Sequence, residues 1–208
     1  MFELRTPKLV AETRIQFNTH VLEAGHCGLF RAPLHLSASL MPTMGALIAS
    51  APVENPEDYE LDIKVHMLMA GQFPCIPNWH TDMVPRDETG VRFDQIDQAN
   101  PPMLIWISDG PETEFLARPL EMPIPGSHIE LARFLQHPST QPMTQLIQPN
   151  VWWSMDQQTP HRGTQAKRAG WRVFARLTHR SMVHPRRSTM SVLRRHARVY
   201  LDAAAFGW

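Results

Sequence analysis

Two stretches of this chain alternate apolar and polar residues with a period of two, and they constrain the fold more than any other feature. Every second residue from Leu61 to Met67 is apolar, and residues 171–178 alternate in the same way over most of their length. Successive side chains of a strand point to opposite faces, so this period is typical of a strand with one buried face. Both stretches are therefore predicted to be strands of a sheet that covers a core.

The rest of the central region favours short strands between turns. Apolar runs at 103–108, 113–116 and 146–155 are predicted strands, and residues 129–136 favour a short helix. The chain contains 19 prolines and 10 glycines, which disfavour long helices. Many short strands separated by turn signals are typical of an antiparallel sandwich or barrel, so we expect a mainly β fold.

The length of 208 residues suits one domain that spans residues 1–208. Its core is predicted at about residues 59–180, and residues 1–58 are predicted to supply flanking elements, among them an outer strand and a short helix. Residues 181–208 are rich in arginine, and residues 188–205 favour a basic helix. This helix is interpreted either as a solvated face or as a patch that contacts phosphates.

The overall charge does not favour binding to nucleic acid or to a membrane, because 20 basic and 20 acidic side chains balance. No apolar run is long enough to cross a bilayer, and the first residues lack the apolar core of a signal peptide. The two cysteines, Cys27 and Cys75, do not make a disulfide framework. We therefore expect a soluble, cytoplasmic protein with no membrane partner.

The motif most suggestive of chemistry is His80-Thr81-Asp82, which follows the first alternating stretch. On an extended segment, residues two apart project to the same face, so one imidazole and one carboxylate can converge on one metal ion. Two histidines and one carboxylate form the facial triad of non-haem Fe(II) oxygenases. Alone, the triplet is also compatible with a turn in which Asp82 caps a backbone amide.

Two downstream residues favour the metal interpretation. His161 follows the predicted strand region at 151–155, and Arg172 comes eleven residues later on the second alternating stretch. A turn and a returning strand would bring Arg172 close to a metal bound by His161. A buried arginine at that point can bind one end of a dicarboxylate through a bidentate pair.

The order His80-x-Asp82, then His161, then Arg172 resembles the Fe(II)- and 2-oxoglutarate-dependent oxygenases, over roughly residues 60–180. The resemblance implies a double-stranded β-helix, which is a jelly-roll or cupin-like barrel, with flanking helices. It also implies that the two histidines and the aspartate bind Fe(II), which 2-oxoglutarate chelates through its 2-oxo acid end. The implied activity is a dioxygenase reaction that uses O₂ to hydroxylate a C–H bond and releases succinate and CO₂.

The same resemblance implies roles for three further residues. Arg172 would pair with the far carboxylate of 2-oxoglutarate, and Thr113 is the candidate hydroxyl residue that assists it. Arg176 has the same strand parity as Arg172, so it would also face the site and bind an anionic substrate or co-substrate. Of the other histidines, His66 is expected to face outward or line the mouth of the barrel, and His128 is a possible spare ligand.

Three functions remain open on this basis: the oxygenase, a cupin-like metal protein without 2-oxoglutarate chemistry (an isomerase, hydrolase or sensor), and a nucleic-acid-binding β-domain. The polar segment 84–100 and the segment 165–168 are expected to line the mouth of the barrel with charges of both signs. A mouth of this kind favours a small or medium-sized polar substrate. Nucleic acid is the second candidate partner, through the arginine-rich C-terminus.

Overall fold

The computed structural model describes residues 1–18, 20, 22, 28–110, 112–183 and 192–194. The described strands are β1 (Phe2–Leu4), β2 (Lys8–Glu12), β3 (Gly28–Pro33), β4 (Tyr59–Leu68), β5 (Arg86–Asp87), β6 (Gly90–Val91), β7 (Met103–Ile107), β8 (Thr113–Leu116), β9 (Leu120–Met122), β10 (Thr144–Leu146), β11 (Val151–Met155), β12 (His161–Gly163), β13 (Gly170–His179) and β14 (Val192–Arg194). The described α-helices are α1 (Leu34–Leu40), α2 (Gly45–Ala49) and α3 (His128–Gln136). Short 3₁₀ turns occur at Pro42–Met44, Pro56–Asp58, Phe93–Gln95 and Arg180–Met182.

The largest sheet is antiparallel and has seven strands in the order β14-β3-β4-β13-β7-β11-β2. Its centre is the pair β4 and β13, which stay in register from Tyr59 opposite His179 to Leu68 opposite Gly170. These are the two alternating stretches, so the prediction that both form strands is confirmed. Because they are direct neighbours, their alternation describes the two faces of one sheet.

One face of this sheet carries the main hydrophobic core. The inward side chains of β4 and β13 meet in cross-strand pairs, as Val65 does with Val173 and Ile63 with Ala175. Trp106 and Trp152 are buried in the same cluster. Each indole N–H donates a hydrogen bond of 3.0 Å to a hydroxyl, from Trp106 to Thr13 and from Trp152 to Ser50. The two large rings are therefore buried without an unsatisfied donor.

The opposite face of the sheet carries mostly polar side chains along β4 and β13, with Phe174 among them. Its side chains line a cavity together with residues of a second antiparallel sheet, whose order is β10-β8-β12. The strand β8 contributes Thr113 and Phe115 to the cavity, and β12 contributes His161. The candidate site therefore lies between the large sheet and the small one.

A second hydrophobic cluster supports the other side of the site. It contains Phe2 and Leu4 of β1, Trp79, and Leu131 and Leu135 of α3. The helix begins where Ser127 accepts a hydrogen bond from the backbone N–H of Glu130, which is a standard N-cap. The helix predicted over 129–136 is confirmed.

The structure agrees with the expectation of a mainly β fold with antiparallel sheets and few helices. None of the sheets formed by the described residues closes on itself, so a jelly-roll barrel remains a prediction. The segment 84–100, expected as one long loop, contains the hairpin of β5 and β6 and the 3₁₀ turn Phe93–Gln95.

The basic helix predicted over 188–205 falls almost wholly outside the described residues. The part that is described, Val192–Arg194, is the strand β14, which pairs with β3 instead of forming a helix. Cys27 also lies outside the described residues, whereas Cys75 is a free thiol. In the described part of the chain, helices are too short or too polar to traverse a lipid bilayer.

Candidate metal centre

His80 and His161 come together because their backbones form an isolated antiparallel β-bridge. The N–H of His80 donates to the carbonyl of His161 at 3.0 Å, and the N–H of His161 donates to the carbonyl of His80 at 2.9 Å. Residues directly opposite in an antiparallel pair place their side chains on the same face. The two imidazole rings therefore lie side by side, with centroids 4.4 Å apart.

Both rings are oriented by a backbone carbonyl two residues earlier in the chain. The Nδ1 of His80 lies 2.9 Å from the carbonyl oxygen of Asn78, and the Nδ1 of His161 lies 3.3 Å from that of Thr159. A carbonyl oxygen only accepts, so these contacts require a proton on each Nδ1. A neutral ring held in this way presents an unprotonated Nε2 to a metal, which is the usual way in which a hydrogen bond fixes a ligand histidine.

Asp82 completes the group. One oxygen of Asp82, Oδ2, lies 3.7 Å from the Nε2 of His161. Each of His80, Asp82 and His161 offers one ligand atom, and these atoms all lie within 4.8 Å of one another. The predicted triad is therefore brought together as a possible metal-binding group with two nitrogens and one carboxylate oxygen.

Arg176 holds the carboxylate of Asp82. Its Nη1 donates to Oδ2 of Asp82 at 2.6 Å, and its Nη2 donates to Oδ2 of Asp62 at 2.6 Å. Asp62 is itself fixed by a hydrogen bond of 2.8 Å from the backbone N–H of Arg31. Arg176 faces the cavity as its parity predicted, but two carboxylates occupy its guanidinium. The structure thus shows Arg176 orienting Asp82, and its expected role in binding an anionic substrate or co-substrate stays a prediction.

The protonation states suit metal binding at neutral pH. Burial alone would raise the pKa of Asp82, but the charges of Arg176 and the nearby histidines outweigh it and hold that pKa well below its usual range. Burial and the neighbouring charge of His80 lower the pKa of His161 to about 4. At neutral pH the aspartate is therefore ionised and His161 is neutral, which are the forms that ligate metals.

Arg172 and Thr113 lie together in the same cavity as the triad. Arg172 is only 1% exposed, and its Nη2 donates to the hydroxyl of Thr113 at 2.9 Å. The cavity has a volume of about 330 Å³ and is lined by the triad, Arg172, Thr113, Phe115 and Phe174. This volume lies at the small end of the range of about 300–1,000 Å³ usual for ligand sites.

His66 is the residue that sequence reasoning missed. It was expected to face outward or line a mouth, but it is 4% exposed and pairs across the sheet with Arg172. Among the described residues, neither of its ring nitrogens has a hydrogen-bond partner. Burial lowers its pKa to about 2, with further contributions from Arg172 and Lys64. One signal was available: His66 lies on the polar face of β4, which is paired on both edges, by β3 and β13. The polar face of such an internal strand can be covered by a second sheet.

The segment 84–100 lines the space beside the triad only through Val84 and Arg86, and none of its acidic residues does. Asp87 and Asp94 are both paired with Arg92, at 2.5 and 2.7 Å. Lys167 and Arg168 are exposed, and neither lines a cavity beside the triad. His128 lies outside the group of three possible ligands, so the structure does not favour it as a spare ligand.

Comparison of this chain with models of protein families, with curated proteins and with solved structures found no match.

Proposed function

We propose that this protein is an Fe(II)- and 2-oxoglutarate-dependent oxygenase. The observation that carries the proposal is the shared cavity: His80, Asp82 and His161 line it, and so do Arg172 and Thr113. A 2-oxo dicarboxylate needs a metal for its oxo acid end and a cation with a hydroxyl donor for its far carboxylate. Both sets of groups border this one space of about 330 Å³.

The donor set fits Fe(II). Two imidazoles and one carboxylate make up the triad that leaves coordination positions open in non-haem iron oxygenases. The backbone contacts of the two Nδ1 atoms and the ion pair of Asp82 with Arg176 fix the three ligands from outside. Such outer contacts hold ligands in place and raise their affinity for the metal.

The residues near Arg172 fit a bound carboxylate. The guanidinium offers several donors in a plane, and the Thr113 hydroxyl next to it supplies another. His66 lies beside Arg172 across the strand pair, with both ring nitrogens buried and without a described partner. His66 does not line the cavity itself, so it borders the proposed carboxylate site only through Arg172.

Bound Fe(II) and 2-oxoglutarate would supply the activation of O₂, with succinate and CO₂ as products and one oxygen atom inserted into a substrate C–H bond. The chain would supply binding and orientation. His80, Asp82 and His161 would hold the metal, Arg172 and Thr113 would orient the co-substrate, and Phe115 and Phe174 would exclude water from the cavity.

The full-length protein, supplied with Fe(II), 2-oxoglutarate, ascorbate and air, is expected to release succinate in molar excess over enzyme, measured by mass spectrometry. Replacing Fe(II) with Ni(II), which suits the same ligands but does not support O₂ chemistry of this kind, should stop the release. Binding of metal without consumption of 2-oxoglutarate would contradict the oxygenase and favour the cupin-like metal protein.

A further inference from the structure

A second cavity of about 650 Å³ borders the metal centre. It shares Ile76, His80 and Asp82 with the first cavity, and neither Arg172 nor Thr113 lines it. Two of the three candidate ligands, His80 and Asp82, therefore border both the co-substrate cavity and this larger space. A space with access to the metal but without the groups that would hold 2-oxoglutarate is suited to a different ligand.

One wall of this second cavity is a single face of α3. Ile129, Ala132, Arg133 and Gln136 all line it, and they are spaced at i, i+3, i+4 and i+7, which places them along one side of a helix. Leu131 and Leu135 point the other way and are buried in the second hydrophobic cluster. These core contacts fix the rotation of the helix about its own axis. That rotation determines which of its residues face the cavity.

The charges around the second cavity are mainly positive. Its ionisable lining residues are His80, Asp82, Arg86, His128 and Arg133. Asp82 is neutralised by its ion pair with Arg176. Among the described residues, no carboxylate lies within ion-pair distance of Arg86 or Arg133, whereas nearby Arg92 and Arg162 are each paired with acids.

His128 adds no charge at neutral pH. Burial, together with the charges of His80 and Arg86, lowers its pKa to about 4, so the ring is neutral. Its Nδ1 is buried and lacks a partner among the described residues, and its ring packs edge-on against Phe93 at 5.3 Å. The ring is therefore held in place and retains a polar atom without a partner at the cavity wall.

The remaining lining is mostly apolar, with Asn78, Thr81 and Gln136 as its polar members. Trp79, Met83, Val84 and Ala132 contribute to it, and the side chain of Ile129 is 62% exposed beside the cavity. Met83 has a positive φ of 58°, which is rare for a residue with a side chain. Backbone strain of this kind persists only where surrounding contacts impose it, and strained residues cluster at functional sites. Here a hydrogen bond of 2.7 Å from Gln157 holds the Met83 carbonyl.

We propose that the second cavity binds the organic substrate, and that this substrate is a small organic anion. Its carboxylate or phosphate group would pair with Arg86 and Arg133, and its apolar part would contact Ile129 and the neighbouring apolar wall. The identification as substrate rests on the proposed oxygenase function, but the anion selectivity does not. An ammonium group finds no carboxylate in this lining other than Asp82, so the site disfavours a zwitterion or a cation.

The test is ¹⁹F NMR titration of the full-length, metal-free protein with three matched probes: 4-fluorobenzoate, 4-fluorobenzamide and 4-fluorobenzylamine. We expect the benzoate to bind at least about tenfold more tightly than the other two, since it is the only probe whose polar group carries a negative charge to pair with the two guanidinium groups. Arg86→Gln and Arg133→Gln should each weaken benzoate binding by about tenfold, and Arg133→Lys should retain most of it. Arg118→Gln is the matched control, since Arg118 is an exposed arginine that lines neither cavity.

Equal binding of the benzoate and the benzamide would overturn the proposal, as would a loss in Arg118→Gln as large as that in Arg86→Gln. A loss in Arg172→Gln without one in Arg86→Gln would place the anion in the first cavity and overturn it too. Displacement of the probe by a short oligonucleotide at micromolar concentration would assign the arginines to nucleic acid instead. Because the titration uses metal-free protein, its outcomes can be interpreted even if the protein does not bind iron. Anion binding by itself does not support the oxygenase.

Discussion

Replacement of His161 by alanine is expected to reduce the affinity of the protein for Fe(II) or Ni(II) by at least about 100-fold. Loss of an outer partner of a ligand typically costs about 10–100-fold in affinity, and loss of the ligand itself should cost more. His161 is also 5% exposed and is locked to His80 by two backbone hydrogen bonds, so no neighbouring side chain can move in to replace it easily. Isothermal calorimetry with Ni(II) measures the effect.

The matched control is His35→Ala, because His35 is an exposed histidine on α1 and does not belong to the triad. Circular dichroism and the thermal midpoint show whether the His161 variant still folds. The backbone bridge between residues 80 and 161 uses no side chain, so the fold should survive. A folded variant that binds Ni(II) as tightly as the unchanged protein would eliminate the triad as the metal site.

Replacement of Arg172 by glutamine should weaken the binding of 2-oxoglutarate to the metal-loaded protein and leave metal affinity unchanged. A buried carboxylate that loses its charged partner costs about 2–5 kcal/mol, which corresponds to a loss of roughly 30-fold or more in affinity. Arg172 is 1% exposed and bonded to Thr113, so the pairing would be well shielded from water. Calorimetry of 2-oxoglutarate on the Ni(II)-loaded protein gives the affinity.

Two further variants make this result specific. Arg172→Lys keeps the charge but loses the planar pair of donors, so an intermediate affinity is expected. Arg168→Gln removes an exposed arginine that lines neither cavity, and it should bind 2-oxoglutarate normally. An unchanged affinity in Arg172→Gln would mean that another group binds the co-substrate or that none is bound.

The parts of the fold that sequence predicted well are those that depend on local pattern. The period of two in β4 and β13 is visible in the sequence because one face of each strand packs on the core. The spacing of His80 and Asp82 is likewise a local property. Their meeting with His161 could be predicted only through the resemblance, since the bridge joins residues that are far apart in sequence.

Other features depend on which strands become neighbours, which local pattern does not encode. His66 alternates with apolar residues along β4, and this pattern alone indicates a side chain that faces solvent. It is buried because the second sheet covers that face. Similarly, the partners of Arg176 are set by the positions of Asp62 on β4 and Asp82 beyond it. At Val192–Arg194 the pairing with β3 overrides the helical preference of a basic segment.

The most direct measurement is an anaerobic titration of the Fe(II)-loaded protein with 2-oxoglutarate, followed by visible absorption. A 2-oxo acid that chelates Fe(II) through its oxo acid end gives a metal-to-ligand charge-transfer band, whereas glutarate, which lacks the oxo group, gives none. If His80, Asp82 and His161 hold the iron beside Arg172, the band should grow to saturation near one equivalent of 2-oxoglutarate and should be lost in His161→Ala. No band at saturating Fe(II) and 2-oxoglutarate, or an equal band in His161→Ala, would contradict the proposed centre.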